Sequence, residues 1–133
     1  MLSGLQLLLQ LVGATGLLGE ISSALAENTP FPLVEALIDR YGLTRMWSAA
    51  DMRDSVDKQS VRPLIGEQID VTNLLLIVRS KALGIAEEEI RRTSVPVNYR
   101  LGDALTEALS SDSTTNALRA FSKTIYSDII SLL

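Results

Sequence analysis

IGEQIDVTNLLLIVRSKALGIAEEEI, residues 65–90, decides the fold of this chain. Leu74 to Val78 are five consecutive apolar residues, more than the roughly 3.6 that complete a helical turn. A helix apolar all round belongs inside a bundle, not on its surface. Asp70, Asn73, Arg79 and Lys81 stand in or beside that run, so each must be bonded, paired or led out to solvent. Gly84 is a helix stop. Glu87, Glu88 and Glu89 then open a short second helix at the positive end of its dipole.

Working outward, a central helix is expected from about residue 60 to 83, with Pro63 in its first turn. Gly66 inside it costs about 1 kcal/mol against alanine, which marks a close helix–helix contact. After the short helix from 86 to 93, Pro96 and Asn98 signal a connection. A helix over 101 to 109 follows, with Leu101, Ala104, Leu105, Ala108 and Leu109 on one face. Asp112 or Ser113 caps a last helix that points Leu118, Phe121, Ile125, Ile129 and Leu132 inward. Toward the N-terminus, residues 5–27 read as a helix with a break near Gly13 or Gly16, and residues 28–32 as a turn. A helix from Leu33 to Tyr41 continues through a bend at Gly42, because Leu43, Met46, Trp47 and Ala50 keep the helical spacing. Residues 51–60 are polar and read as including a loop around Ser55 to Asp57. No strand-like alternation of useful length occurs, so the fold class is all-α, an antiparallel helical bundle.

Composition agrees. At 133 residues and 47% apolar content the chain can fill one core. A net charge of −4 excludes a nucleic-acid binder, which needs a basic stripe against phosphates. The chain contains neither cysteine nor histidine. That removes disulfides, the usual zinc ligands and the commonest acid–base residue. The glycines at 13, 16 and 19 have no Lys-Ser/Thr behind them, so they form no phosphate loop. No cofactor, metal or catalytic residue is expected. The uncharged stretch from residue 2 to 18 lacks the basic flank of a signal peptide. It is barely long enough to span a membrane and carries Gln6 and Gln10. It reads as a buried helix.

The pattern Asp70, Asn73, Leu74, then Arg79 and Lys81, Gly84, and Glu88, Glu89 and Ile90 resembles the C subunit family of archaeal A-type ATP synthases. Its eukaryotic counterpart is the d subunit of the vacuolar proton pump. In that family D-x-x-N-L, R-x-K, a glycine and E-E-I recur in this order. The resemblance implies three related helical units, each closing with a K-T-x-Y-like segment, here Lys123, Thr124 and Tyr126. Shifting the chain by 109 residues places Leu9 on Leu118, Val12 on Phe121, Thr15 on Thr124 and Ile21 on Ile130. Residues 1–27 would then close a preceding unit and residues 28–133 form one whole unit, about a third of a family member. Two positions depart from the pattern: Ala86, where a capping serine is common, and Leu17, where an aromatic is common.

The resemblance implies a non-catalytic subunit between the rotor shaft and the membrane proteolipid ring, cytoplasmic and peripheral to the membrane through the ring. Its partners would be the proteins of the shaft and the ring. The alternatives are a free-standing α-helical adaptor, or a carboxylate enzyme for which no acid–base pair can be named. Asp70 and Arg79 lie half a turn apart at roughly 100° per residue and cannot pair with each other. Asp70 therefore reads as a structural polar contact, and Asn73, three residues on, shares its face. Glu87 with Arg91 reads as an i,i+4 pair. Arg40, Arg45 and Arg53 with Asp39, Asp51 and Asp54 read as a solvent face. Tyr41 and Trp47 read as core or interface.

Overall fold

A computed structural model describes residues 15–51 and 55–133, with side chains for 16–51 and 58–133. The described residues are all-α, without strands. Their helices are α1 (Thr15–Ala26), α2 (Phe31–Asp51), α3 (Ser55–Ala82), α4 (Glu87–Thr93), α5 (Asp103–Ser110), α6 (Thr114–Phe121) and α7 (Ser127–Ile130). The expected helix over residues 5–14, the Gly13 break, and Arg53 and Asp54 lie outside the described residues.

α3 is the axis of the bundle, touching α2, α4, α5 and α6. It runs antiparallel to α2: Asp51 pairs with Lys58 and Arg62 at one end, at 3.4 and 3.2 Å. Pro32, Ala36 and Asp39 share a cleft with Leu76 and Arg79 at the other. Leu74, Leu76 and Ile77 of α3 pack with Leu33, Ile90, Leu109 and Phe121 in the main core. Each such side chain contributes roughly 1.5–3 kcal/mol when fully buried. A second cluster joins Leu43, Ala50, Ile65 and Ile69 to Val95. α1 meets only α2 among the described elements, through Leu17, Ile21 and Ala24 against Val34. Paired positions of the 109-residue shift differ locally: Ile21 is mid-helix, whereas Ile130 ends a four-residue helix.

Glycine ends α3 by geometry. Gly84 adopts φ 71°, and its N–H donates to the Lys81 carbonyl at 3.1 Å while that of Ile85 donates to Ser80 at 3.0 Å. This pair of bonds satisfies carbonyls that the helix end leaves open.

Three local expectations need correction. α3 starts at Ser55, so Ser55 to Asp57 are helical and Pro63 stands inside the helix, not in its first turn. The early turns are held by the pairing of Lys58 and Arg62 with Asp51, and Pro63 leaves the Gln59 carbonyl without its usual donor. The last helix is split: α6 ends at Phe121, leaving Ile125 58% and Leu132 85% exposed. Thr124 is the cause. Its hydroxyl donates to the Phe121 carbonyl at 2.6 Å and accepts from the Tyr126 N–H at 3.2 Å, turning the chain so that Tyr126 is buried in place of Ile125. Third, the group closest to Gly66 is not on a helix: it is the Tyr99 ring, where a Cβ would come within 2.5 Å of Cγ.

Gly66→Ala is therefore expected to destabilise the protein by roughly 1–3 kcal/mol in a urea titration, despite alanine's better helix propensity. In a Tyr99→Ala background the same change should cost less. A stabilised Gly66→Ala protein would contradict the close approach.

Candidate functional site

Residues 95–102 form an irregular segment laid along α3, and its backbone needs partners that neither helix nor sheet provides. Two α3 side chains supply them. Asp70, fully buried, accepts the N–H of Tyr99 on Oδ1 at 3.0 Å and that of Arg100 on Oδ2 at 2.7 Å. Asn73, one turn on, accepts the Val95 N–H on Oδ1 at 2.9 Å. Its Nδ2 donates to the carbonyls of Val95 at 3.0 Å and Val97 at 3.4 Å. Asn73 thus meets the backbone of Val95 as a neighbouring strand would.

The segment completes the rest itself. The Val97 N–H donates to the Val95 carbonyl at 2.8 Å, a three-residue turn whose centre, Pro96, has the φ such turns require. Asn98 Oδ1 accepts the N–H groups of Leu101 and Gly102 at 3.1 and 3.0 Å, and its Nδ2 donates to the Gly102 carbonyl at 2.9 Å.

Asp70 also reaches the far end of the chain. The Tyr126 hydroxyl donates to Oδ2 at 2.6 Å, the short distance of a charge-assisted bond. Burial first, then the hydrogen bond and negative charge of Asp70, then Glu67, raise the Tyr126 pKa well above its ordinary 10.0, against a smaller opposing effect of Arg100. The hydroxyl stays protonated and donating. With three donors on one carboxylate, Asp70 is an anchor.

The other residues of the sequence pattern serve neighbouring elements. Lys81 Nζ donates to the Leu109 carbonyl at 2.7 Å, placing a cation at the C-terminal end of α5. Leu74 and Ile90 are fully buried in the main core, and Gly84 closes α3. Arg79 is exposed beside Asp39. Burial and the Glu35 charge raise the Asp39 pKa, and Arg79 lowers it. Glu88 and Glu89 are exposed, while Glu87 pairs with Arg91 at 2.6 Å. Ala86 precedes α4 without a side-chain cap. Arg40 donates to the Arg92 carbonyl, and Arg45 to the Tyr41 hydroxyl at 2.6 Å. Among the described residues no three acids cluster to hold a metal.

The profile of the ATP synthase (C/AC39) subunit family matches residues 6–133. The chain belongs to this family. It is 27% identical over 106 residues to the C subunit of the A-type ATP synthase of Methanobrevibacter smithii, a match covering 78% of this chain and 28% of that relative. The chain thus spans under a third of the length of the relative it matches. No solved structure gives a significant match. The C/AC39 subunit is a non-catalytic component of the rotary ATPase.

The sequence marks Asp70 and Asn73, but not their partners. Backbone amides at 99 and 100 carry no signature, and Tyr126 stands out only as part of a closing segment.

Asp70→Ala strands three donors and is expected to cost at least about 3 kcal/mol, a drop of roughly 10 °C in melting temperature. An unchanged melting curve would contradict the anchor. Tyr126 also makes a pH prediction. Its folded pKa is raised, so its contribution is complete below the ordinary value of 10.0 and is lost as pH climbs above it. Tyr126→Phe should be less stable at neutral pH, and the gap to wild type should narrow above about pH 10 in urea titrations.

Proposed function

We propose that this chain is part of a subunit that joins the central rotor shaft of an A-type rotary ATPase to the proteolipid ring and passes torque between them. The family match over residues 6–133 carries this reading. The likeness to the C subunit of an A-type ATP synthase supports it. Both favour the rotary role over an unrelated adaptor.

The physical demands of the role are consistent with the molecule described above. A torque-bearing body has to resist shear between its elements. Here the main core draws on α2 to α6 together, and the irregular 95–102 segment is fixed by side chains of the axial helix. The exposed apolar residues Phe31, Leu64 and Leu83 are suited to contact with neighbouring protein. In this reading the protein is cytoplasmic and reaches the membrane only through the ring. Among the described residues no helix is long and apolar enough to cross a membrane. The division into a closing helix (1–27) and one whole unit (28–133) belongs to the same proposal.

Sedimentation of the folded chain with a purified shaft subcomplex of an archaeal A-type ATP synthase tests the role. Saturable co-sedimentation with the shaft or with the proteolipid ring is expected. Failure of both, with the full-length parent also inert, would overturn it.

A further inference from the structure

Trp47, the chain's single tryptophan, is half-buried. It meets Tyr99 edge-on, with ring centroids 6.0 Å apart and planes inclined at 70°. Gly66 backs the Tyr99 ring. The Arg62 guanidinium lies 4.6 Å from the centre of the Trp47 ring, and that of Arg100 5.2 Å from the centre of Tyr99. A cleft of about 430 Å³ opens at this place, with Lys58, Arg62, Pro63 and Tyr99 in its wall.

Among the described side chains, the charge of this face runs against that of the whole. The chain carries −4 overall, yet Lys58, Arg62 and Arg100 gather around two aromatic rings. Among the described residues Lys58 and Arg62 share a single carboxylate, Asp51, and Arg100 forms no ion pair. The contrast with Arg91 is direct, since Glu87 occupies that guanidinium at 2.6 Å. A cation over an exposed ring gains only about 0.5–1 kcal/mol, which leaves the Arg100 guanidinium free to take a better partner, while Arg62 and Lys58 divide one carboxylate between them. Trp, Tyr and Arg are also the side chains that dominate binding energy at protein interfaces.

We propose that this face docks an acidic protein segment, with carboxylates on Arg62, Arg100 and Lys58 and an apolar side chain over Trp47 and Tyr99. The inference rests on the face alone and does not depend on the rotary reading. Electrostatic complementarity of this kind sets partner choice and association rate, and weakens with salt.

Trp47 reports directly on the site, because no other tryptophan contributes to the emission. The intact chain would be titrated with a helical Glu/Leu peptide and with the same peptide carrying Gln for Glu. Labelled-peptide anisotropy would give a second isotherm. Expected are a saturable change in Trp47 emission with the Glu peptide, none with the Gln peptide, and weakening at high salt. The Arg62→Gln/Arg100→Gln variant should bind about tenfold more weakly or worse, whereas Arg91→Gln should bind like wild type. Absence of saturable binding by the Glu peptide would overturn the proposal. So would equal binding of the Gln peptide, a control that needs no variant to fold. Preference for a single-stranded oligonucleotide over the Glu peptide would reassign the face and equally refute it.

Discussion

One buried carboxylate organises this molecule. Asp70 is fully buried, and an ionised group in that position is tolerated only when donors surround it. The donors come from two distant parts of the chain: the backbone at Tyr99 and Arg100, and the hydroxyl of Tyr126. The middle helix, the connection after α4 and the closing segment must therefore all arrive for any one of them to be satisfied. Hydrophobic burial supplies most of the driving force, but it is non-directional. The carboxylate supplies the direction.

The same economy explains why α3 is apolar and polar at once. Its apolar residues face helices on several sides, while Asp70, Asn73 and Lys81 each meet backbone atoms that no regular element pairs. Lys81 serves the end of α5, Asn73 serves Val95 and Val97, and Asp70 serves the residues that follow. The polar side chains of the axis thus form a row of fittings for irregular backbone, each placed where a helix ends or fails to form.

Much of this was legible in the sequence, and the illegible part has a common cause. The all-α class, the Gly84 stop, the passage of α2 through Gly42 and the Glu87–Arg91 pair follow from local rules of periodicity, capping and i,i+4 spacing. The errors arise where tertiary contact overrides them. Pro63 reads as a helix start, but Asp51 on another helix holds the turns before it. Ile125 and Leu132 keep the helical period, but the chain turns at Thr124 and the bond to buried Asp70 draws Tyr126 inward in their place. Gly66 correctly signals a close approach, yet the approaching group is the ring of Tyr99, which lies 33 positions away and in no helix. Asp70 and Asn73 stand out as polar residues in an apolar run. Their partners are main-chain groups, which every sequence possesses, and one tyrosine hydroxyl 56 positions along the chain.

Recognition of main chain by Asp70 and Asn73 places an unequal burden on the two sides of the contact. On α3 the side chains are the contact, and little else could replace them. On the facing segment the identity of the residue at 95 or 100 is immaterial to these bonds, provided it keeps an N–H. For these bonds proline alone is excluded at 95, 99 and 100, and the segment's own proline sits at 96, whose nitrogen neither α3 side chain engages. The outer surface of this stretch can therefore be rewritten for new partners while its path over the helix stays the same.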